Sequence, residues 1–592
     1  MPTVNGLGPR EDTLPDMFFA RAAAAEQMPF LHERRNGVWR KTSWFKMADN
    51  VLVMATALKQ RGITPGDRVI LVSENRSEWI VAELAIMLVG AISVPLFTTN
   101  TATDFEYLVQ DSGARAVICS TSKLAAQLFT PAQESAGCHL MVVMEPGQLR
   151  RHPAGLAIVN WDQMMTEGRR GKPNNKTGFP SGNPDDVCSI LYTTNNTDKP
   201  RGVMLTHRSI MANLAGCEGL LREVGLGQDV FLSMLPFSHA YEHSVGLYFP
   251  IHLGAQIHIL PRPEALNSTI ADVRPTIMTT VPRLLELLRD RIRQNFVQRG
   301  ALALFLFEKA ISLGTKKLQG ETLTLIERIQ NTAADIFIRR AVRARLGGRL
   351  KAFVSGGAAL DPSIGYFFLA LGIRPLQGYG KTEASSVITA NPPSHIKIET
   401  VGTPLAGVSV QLTQTGELCV KGPLVMAGYW NDPIGTSKAL RDGWYHTGDL
   451  AEIHEDGYIT LTGRKNDIIV NTNGEDISPS KVEAILEAQR DIAFACVFGN
   501  RHPFLTAVIC PSDIVIQQFG DRQERIKEQL QEAVATANVT LSQVERIRTF
   551  IVADDIFSQE NKLLSASGRK RRSAIIAAYE ERLMGLYRRP RR

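Results

Sequence analysis

A polar, turn-forming stretch occupies residues 191–207, between two apolar runs of the chain. It reads Leu-Tyr-Thr-Thr-Asn-Asn-Thr-Asp-Lys-Pro-Arg-Gly-Val-Met-Leu-Thr-His. The run at residues 187–191 is typical of a buried strand, and the residues that follow the stretch have a helix-like pattern. Backbone N–H groups and hydroxyls in such a turn can surround phosphate groups, which need many donors at short range. Taken alone, however, such a stretch is more often an ordinary polar loop.

Six further short motifs follow in order along most of the chain. They are Ser355-Gly-Gly-Ala-Ala-Leu, Gln377-Gly-Tyr-Gly-Lys-Thr-Glu, Gly416-Glu-Leu-Cys-Val-Lys-Gly, Gly428-Tyr-Trp-Asn, Asp442-Gly-Trp-Tyr-His-Thr-Gly-Asp and Gly463-Arg-Lys-Asn-Asp. Together with the loop, they resemble the adenylate-forming superfamily of acyl-CoA synthetases, luciferases and peptide-synthetase adenylation domains. The phosphate loop of that family reads Tyr-Thr-Ser-Gly-Thr-Thr-Gly-x-Pro-Lys-Gly-Val. Each motif is weak alone, but their common order and spacing make the resemblance specific.

Three more stretches resemble the long-chain fatty acid branch of that family. They are Leu235-Pro-Phe-Ser-His-Ala-Tyr-Glu, Val281-Pro-Arg-Leu-Leu-Glu and Arg345-Leu-Gly-Gly-Arg-Leu. The resemblance implies a two-step ligase reaction, in which a fatty acid carboxylate first attacks the α-phosphate of ATP to give acyl-AMP and pyrophosphate. The thiol of coenzyme A then displaces AMP. The implied ligands are therefore a fatty acid, ATP, coenzyme A and Mg²⁺, a hard cation suited to phosphate oxygens.

The resemblance also implies which residues bind the nucleotide. The ring of Tyr379 is expected to lie against adenine, Asp449 and Arg464 are expected to hold the ribose hydroxyls, and Thr382 is expected to hydrogen-bond the α-phosphate. Small residues after an apolar strand would let the backbone approach the purine. The full set is Thr193, Thr194, Thr197, Arg201, Gly356, Gly357, Ala358, Tyr379, Gly380, Thr382, Asp449 and Arg464.

Four residues match family positions that take part in the chemistry. Glu383 matches the magnesium-binding glutamate, and His239 matches a position near the acyl carboxylate and the thioester site. The family lysine that bridges the acyl carboxylate and the α-phosphate falls on Arg569. Lys570 is adjacent to it and can substitute only if the loop slips by one residue. An arginine still supplies positive charge, but its planar fork differs in reach from an ammonium.

The phosphate loop departs from the family pattern at several positions. Thr194 replaces a serine, Asn195 and Asp198 replace two glycines, Asn196 replaces a threonine and Arg201 replaces a lysine. Asparagine tolerates left-handed backbone angles, so Asn195 is compatible with the path of the loop. A carboxylate at Asp198 would repel a phosphate by about 4 kcal/mol at roughly 4 Å and an effective dielectric near 20. We therefore expect weaker ATP binding unless this side chain points away, pairs with a cation or helps to hold a metal.

Three hypotheses about function follow from the resemblance and the departures. The first is an ATP-dependent long-chain fatty acid–CoA ligase. The second is a non-adenylating relative that keeps an acyl or nucleotide pocket. The third is a fatty acyl-AMP ligase that delivers the acyl group to a carrier protein. Pyrophosphate exchange separates the first two hypotheses, and product analysis separates the first from the third.

Apolar runs alternate with helical patterns in the first two thirds of the chain, as in the strand at residues 68–72, the helix at 79–88 and the strand at 91–96. Strands separated by helices predict parallel sheets covered by helices. The class is therefore α/β, with a large domain at residues 1–465 that includes a helical excursion at about 290–350. A small α+β domain is expected at 466–592, with Asn466 at the hinge and Gly474 in a loop that reaches the site for the CoA step.

Composition limits the location and partners of the protein. The chain of 592 residues is 44% hydrophobic and carries a formal charge of +7. We expect the excess charge near the C-terminus, as a solvated end or a contact with anionic lipid. The seven cysteines are scattered, and no secretory signal or apolar run long enough to span a bilayer is evident. We therefore expect a cytoplasmic protein, with peripheral contact at the inner membrane face as the alternative, and no nucleic-acid partner.

Overall fold

The computed structural model describes residues 11–35, 37–145, 147, 155–193, 199–260, 266–472, 475–520, 522–564 and 570–587. In the first third of the chain, helices alternate with strands. The bounds are α1 Leu14–Ala25, β1 Pro29–Arg35, β2 Val38–Ser43, α2 Trp44–Gln60, β3 Arg68–Val72, α3 Ser77–Leu88, β4 Ile92–Leu96, α4 Ala102–Ser112, β5 Ala116–Thr121, α5 Ser122–Glu134, β6 Leu140–Glu145, β7 Ala157–Asn160, α6 Trp161–Gly171, β8 Val187–Thr193 and β9 Arg201–Thr206.

The middle of the chain continues this alternation and then inserts four consecutive helices. The bounds are α7 His207–Leu221, β10 Val230–Ser233, α8 Phe249–Leu253, β11 Gln256–Ile259, α9 Leu266–Val273, β12 Ile277–Thr280, α10 Pro282–Gln298, α11 Ala301–Leu318, α12 Leu325–Ala334, α13 Arg340–Arg345, β13 Ala352–Ser355, α14 Pro362–Ala370, β14 Pro375–Lys381, β15 Ser386–Ala390 and β16 Thr403–Pro404. Two π-helical segments lie among them, at Glu242–Tyr248 and Asp335–Arg339.

Short strands and a final helical group complete the chain. The bounds are β17 Ser409–Leu412, β18 Glu417–Lys421, β19 Gly428–Tyr429, α15 Pro433–Ala439, β20 Leu440–Arg441, β21 Trp444–Ile453, β22 Ile459–Arg464, β23 Ile469–Val470, β24 Asp476–Ile477, α16 Pro479–Glu487, β25 Ile492–Phe498, β26 Leu505–Pro511, α17 Asp513–Phe519, α18 Gln523–Thr540, β27 Ile547–Val552 and α19 Arg572–Tyr587.

Two large sheets form the centre of the N-terminal domain. Eight strands pair in the order β19-β9-β8-β4-β3-β5-β6-β7, and nine pair in the order β16-β15-β14-β13-β12-β10-β11-β1-β2. The strand β3 is parallel to both β4 and β5, and four of its five residues are buried. A strand buried on both faces by covering helices reads as a continuous apolar run, as the sequence of β3 does. This arrangement confirms the predicted α/β class.

A third sheet of the large domain is antiparallel, which the sequence analysis did not predict. It contains β17, β18, β21 and β20 in that order, with β22 paired to β21. The strand β21 alternates between buried and partly exposed residues, because one of its faces packs on the core while the other faces outward. This sheet matters for the site, because its central strand carries Asp449 and β22 ends at Arg464.

The C-terminal domain has its own core. A three-stranded sheet of β25, β26 and β27 packs with α16 and α18, and the buried residues of these elements contact one another rather than the core of the large domain. A small mixed domain after a large one agrees with the predicted class.

The helix expected after the stretch at residues 191–207 is present, since α7 begins at His207. The second half of the stretch forms the strand β9, which the sequence analysis did not predict, and Thr193 pairs with Arg201 in an antiparallel ladder. One expectation about local structure was inexact. The helical excursion begins at Pro282 rather than near residue 290, because proline suits the first turn of α10.

Candidate functional site

Glu383 lies in a short helical turn at the point where β14 turns back into β15. Its residue is 1% exposed. The hydroxyl of Tyr429 donates a hydrogen bond of 2.9 Å to its Oε1. Burial and the negative charge of Glu383 raise the pKa of Tyr429 well above its usual range, so the phenol stays protonated and acts as a donor. The carboxylate is therefore held in one orientation at the end of the sheet.

Arg201 joins the same group from the strand β9. Its guanidinium lies 5.3 Å from the centroid of the Tyr429 ring, and its Nε lies 3.5 Å from Oδ2 of Asp432. A cavity of about 270 Å³ opens beside Arg201 and Lys199. The arginine that replaces the family lysine thus lies one aromatic ring away from Glu383, at the edge of an open cavity.

Asp449 forms a second anchored carboxylate on β21. Its Oδ2 accepts a hydrogen bond of 2.6 Å from the hydroxyl of Tyr379 and lies 3.0 Å from the ammonium of Lys381. Its Oδ1 lies 3.5 Å from Nε of Arg464. Burial and the charge of Asp449 raise the pKa of Tyr379. Lys381 was absent from the predicted set, although it stands between two of its members.

The two carboxylates belong to one electrostatic group. The buried hydroxyl of Tyr445 has a pKa raised by desolvation and then by the nearby groups Glu383, Tyr429, Tyr379 and Asp449. The sequence separates these residues by tens of positions, but the fold gathers them around one phenol. Tyr445 and Tyr429 were also missed by sequence reasoning, although both stand inside the recognised motifs.

The glycine positions of the predicted set have a structural basis. A Cβ on Gly380 would lie 1.6 Å from the carbonyl oxygen of Ser386, so only glycine permits the close pairing of β14 with β15. Gly357 has φ +87°, which favours glycine, and follows Gly356 at the end of β13. Ala358 beside them is exposed. The close approach of a purine to this turn stays a prediction.

His239 lies near the end of β4, beyond the carboxyl ends of the parallel strands. Its Nδ1 accepts a hydrogen bond of 3.2 Å from the backbone N–H of Tyr241, and its ring lies 6.4 Å from that of Phe97. The accepted bond places a proton, in neutral histidine, on the other ring nitrogen. Ligands of open α/β sheets commonly bind at this edge.

The structure places the ammonium of Lys570 within the C-terminal domain. Its Nζ lies 2.9 Å from Glu483 and 2.6 Å from Glu487, and it donates a hydrogen bond of 2.6 Å to the carbonyl oxygen of Ala495. All three partners belong to the C-terminal domain. Burial lowers the pKa of Lys570, but the two carboxylates outweigh it and raise the pKa, so the ammonium stays charged. In this geometry the ammonium joins α16 to β25.

Two ion pairs flank residue 466, one with a partner in the large domain and one with a partner in the small domain. Asn466 lies in a short turn at Lys465–Asp467. Lys465 lies 3.0 Å from Glu417 in the large domain, whereas Asp467 lies 4.0 Å from Arg572 in the small domain. The ion-pair partners of the chain therefore change from the large domain to the small domain at residue 466.

The remaining predicted residues divide into two groups. Thr193 ends β8, and Thr382 begins the turn that contains Glu383. The calls for Thr194, Thr197, Arg569 and Gly474 lie outside the described residues, as do Asn195, Asn196 and Asp198. Among the described residues, no three His, Cys, Asp or Glu side chains form a group that could bind a metal ion without other ligands.

Two buried contacts between polar side chains of the large domain were not predicted from the sequence. His243 Nε2 lies 2.9 Å from Glu83, and Ser233 donates a hydrogen bond of 2.6 Å to Glu242. Glu83 is a charged residue within an apolar run, and this feature of the sequence could have indicated a buried polar contact.

Comparison with known proteins gives the same assignment over most of the chain. The family model of the AMP-binding enzymes matches residues 18–430, and that of the AMP-binding enzyme C-terminal domain matches residues 466–591. The chain is 28% identical to the long-chain-fatty-acid–CoA ligase FadD15 of Mycobacterium tuberculosis, over 95% of this chain and 96% of that protein. It is 27% identical to long-chain-fatty-acid–CoA ligase 5 of Rattus norvegicus, over 97% of this chain and 88% of that protein.

Solved structures share the fold. The adenylation domain of a carboxylic acid reductase from Segniliparus rugosus, in complex with AMP and a co-purified carboxylic acid, has a TM-score of 0.78 and 19% identity, covering 98% of this chain and 94% of that one. The corresponding domain from Mycobacterium chelonae has a TM-score of 0.77 and 20% identity, covering 99% and 92%. With the motifs, the two domains and the family matches in agreement, this chain belongs to the AMP-binding, adenylate-forming enzymes and most resembles their long-chain acyl-CoA ligases.

Proposed function

We propose that this protein activates a long-chain fatty acid with ATP and transfers the acyl group to coenzyme A. The observation that carries the proposal is the gathering of Glu383 and Asp449, each anchored by a tyrosine, around the buried Tyr445. The named activities of the relatives support the choice of acid and acceptor. In the first step, a carboxylate oxygen of the fatty acid bonds to the α-phosphorus of ATP and pyrophosphate leaves. In the second, the sulfur of coenzyme A bonds to the acyl carbon and AMP leaves.

In this proposal Asp449 binds the ribose. A carboxylate accepts hydrogen bonds only, so it suits two adjacent hydroxyl donors. Arg464 and Lys381 pair with it and orient it, and Tyr379 offers an aromatic ring beside it for adenine. Because these groups are already positioned by the sheets, the site orders few side chains when the nucleotide binds.

Glu383 is the residue that would hold Mg²⁺. A magnesium site with nucleotide phosphates needs only one or two protein carboxylates, and the oriented, buried carboxylate of Glu383 fits this requirement. A bound Mg²⁺ would neutralise charge on the phosphate oxygens. The guanidinium of Arg201 supplies further positive charge on the same side of the cluster, and Arg569 is the proposed cation for the acyl carboxylate.

The thioester step is proposed to follow a rotation of the small domain about Asn466. The division of the chain at residues 465 and 466 is supported by the change of ion-pair partners from Glu417 to Arg572 across this turn. Gly474 is proposed to enter the site after the rotation. A hinge needs only a few residues that absorb the change in backbone angles.

Exchange of labelled pyrophosphate into ATP, measured with fatty acids of increasing length, tests the proposal. We expect exchange that depends on the acid and is strongest for long chains. Binding of nucleotide without any exchange would contradict it and support the non-adenylating alternative. Product analysis with coenzyme A and with an acyl carrier protein then identifies the acceptor, and thioester formed on the carrier protein alone would contradict the CoA assignment.

A further inference from the structure

Exposed apolar side chains are concentrated on the inserted helices. Among the described residues, 23 large apolar side chains are exposed, and 11 of these lie between residues 287 and 337. A soluble surface normally carries such side chains singly, and a contiguous group marks an interaction site. The catalytic cluster described above does not include any of these residues.

The helix α12 presents one apolar stripe to solvent. None of its residues, all of which the structure describes, is buried. Leu325, Ile326 and Ile329 lie on α12, and Ile336 and Phe337 lie on the π-helical segment that continues it. Each is more than half exposed, reaching 75% for Leu325 and 73% for Phe337. The opposite side of the helix packs against α11, where Lys316 lies 3.1 Å from Glu327.

The beginning of α11 carries further exposed apolar side chains. Arg339 donates a hydrogen bond of 2.9 Å to the carbonyl oxygen of Ala310, while Glu327 pairs with Lys316, so the two helical segments run antiparallel. This arrangement places the middle of α11, at Ala310, beside the segment that carries Ile336 and Phe337. The combined surface, which we name the α11–α12 face, consists of Leu302, Phe305, Leu306, Leu325, Ile326, Ile329, Ile336 and Phe337.

Positive charge surrounds the α11–α12 face. Residues 282–349 contain fourteen Arg and Lys and six Asp and Glu, a net charge of +8, whereas the whole chain carries +7. Exposed arginines include Arg328 and Arg340 on the helical segments that form the face. The C-terminal segment is also basic, as the sequence analysis noted, but its Lys570 and Arg572 are engaged with Glu483.

We propose that the α11–α12 face binds the surface of a membrane that contains anionic lipid. Apolar side chains flanked by basic ones are the features by which a helix lies in the lipid interface, with its apolar face between the headgroups and its cations near anionic lipid. A second copy of the chain is a poorer occupant, because a symmetric contact would bring together two segments that each have a formal charge of +8. Among the described residues, no helix is long and apolar enough to cross the bilayer, so the contact is made at the surface.

Flotation of the full chain with lipid vesicles tests this assignment. Vesicles of phosphatidylcholine with phosphatidylglycerol are compared with vesicles of phosphatidylcholine alone. The double variant Ile329→Asp/Phe337→Asp places two negative charges on the exposed stripe, and Arg328→Glu/Arg340→Glu reverses two exposed charges beside it. Val539→Asp is the matched control, because Val539 is 79% exposed on α18, outside the face. Circular dichroism and thermal unfolding check that all variants are folded.

We expect the wild-type chain and Val539→Asp to float with the anionic vesicles, and each double variant to bind about tenfold more weakly. Binding should fall as salt is added. Failure of the wild-type chain to bind, or equal binding by the folded Ile329→Asp/Phe337→Asp variant, would overturn the proposal. Equal binding to neutral and anionic vesicles would contradict the proposed attraction between the basic residues and anionic lipid. Concentration-dependent association that the same variant abolishes, without vesicle binding, would instead make the face an interface between copies. The readout does not depend on ligase activity.

Discussion

Lys381 and Asp449 form an ion pair inside the nucleotide motifs, with 3.0 Å between the ammonium and Oδ2 of the carboxylate. Lys381 stands between Gly380 and Thr382 in one motif, and Asp449 ends another. The same oxygen accepts the hydrogen bond from Tyr379. The carboxylate proposed for ribose binding is thus paired and oriented before any ligand arrives.

Replacing Asp449 by Asn should weaken nucleotide binding. The amide loses one acceptor oxygen and the negative charge, and hydrogen bonds to charged groups contribute about 1.5–3 kcal/mol each, so we expect AMP affinity to fall roughly 10- to 100-fold. Calorimetric titration with AMP measures this. Asp456→Asn is the control, since Asp456 pairs with Lys397 on the surface, and its affinity should not change. Equal affinities for both variants would show that Asp449 does not contact the ribose.

A loss of stability must be separated from the loss of binding in this variant. Asp449→Asn leaves Lys381 beside an uncharged amide, so we expect urea unfolding at lower concentration than for the wild-type protein. The added change Lys381→Met should recover part of that loss. AMP affinity that also recovers in the double variant would mean that the binding defect came from the stranded lysine.

Replacing Glu383 by Gln should impair adenylation rather than folding. The amide keeps the shape and accepts the hydrogen bond from Tyr429, but it binds a divalent cation poorly. We expect pyrophosphate exchange to fall about 100-fold and to need more Mg²⁺. Glu399→Gln is a matched control, because Tyr366 donates a hydrogen bond of 2.7 Å to that exposed carboxylate. An unchanged magnesium dependence would refute the role of Glu383.

Replacing Lys570 by Met should destabilise the C-terminal domain. Removal of Lys570 from this largely buried group leaves Glu487 without its cation and Glu483 with Arg572 alone, a change that typically costs about 3–5 kcal/mol. Burial already raises the pKa of Glu487, so the loss should shrink in acid, where that carboxyl becomes protonated. Urea unfolding at several pH values measures it.

Two controls separate this structural role from catalysis. Lys481→Met breaks an exposed pair with Glu545 and should cost less than about 1 kcal/mol. Arg569→Ala should reduce pyrophosphate exchange while the stability stays unchanged. Normal stability of Lys570→Met together with lost exchange would instead place the ammonium of Lys570 in the reaction.

Replacing Glu242 by Gln should flatten the dependence of stability on pH. Burial raises the pKa of Glu242 to about 7 from 4.5, so the native state binds more protons than the unfolded state between these values. The contribution of Glu242 is therefore fully present below the unfolded pKa and is lost as pH rises through about 7. Relative to Glu242→Gln, we expect the wild-type free energy of unfolding to fall by about 2.5 kcal/mol between about pH 5 and about pH 8.

Urea unfolding of both proteins across this range gives the comparison. Glu145→Gln is the control, because Glu145 is exposed and pairs with Arg76. Parallel pH profiles for the wild-type protein and Glu242→Gln would show that the buried carboxyl does not titrate in this range.

Local patterns in the sequence were enough to predict much of the fold. The apolar run of β3, the helical pattern of α3 and the order of the motifs all survive in the structure, because strand and helix periods are properties of neighbouring residues. The glycine at position 380 is likewise visible in the sequence, although the carbonyl of Ser386 that requires it is not.

The sequence by itself determined the family, the α/β class and the residue types available for nucleotide chemistry. Only the tertiary structure decided which of them meet. Tyr429 reaches Glu383 across 46 residues, and Lys570 pairs with Glu487, because pairing register and packing bring distant segments together. The hairpin after β8 and the antiparallel sheet that carries Asp449 arise in the same way. Such contacts depend on the free energy of the whole fold, which no local period encodes.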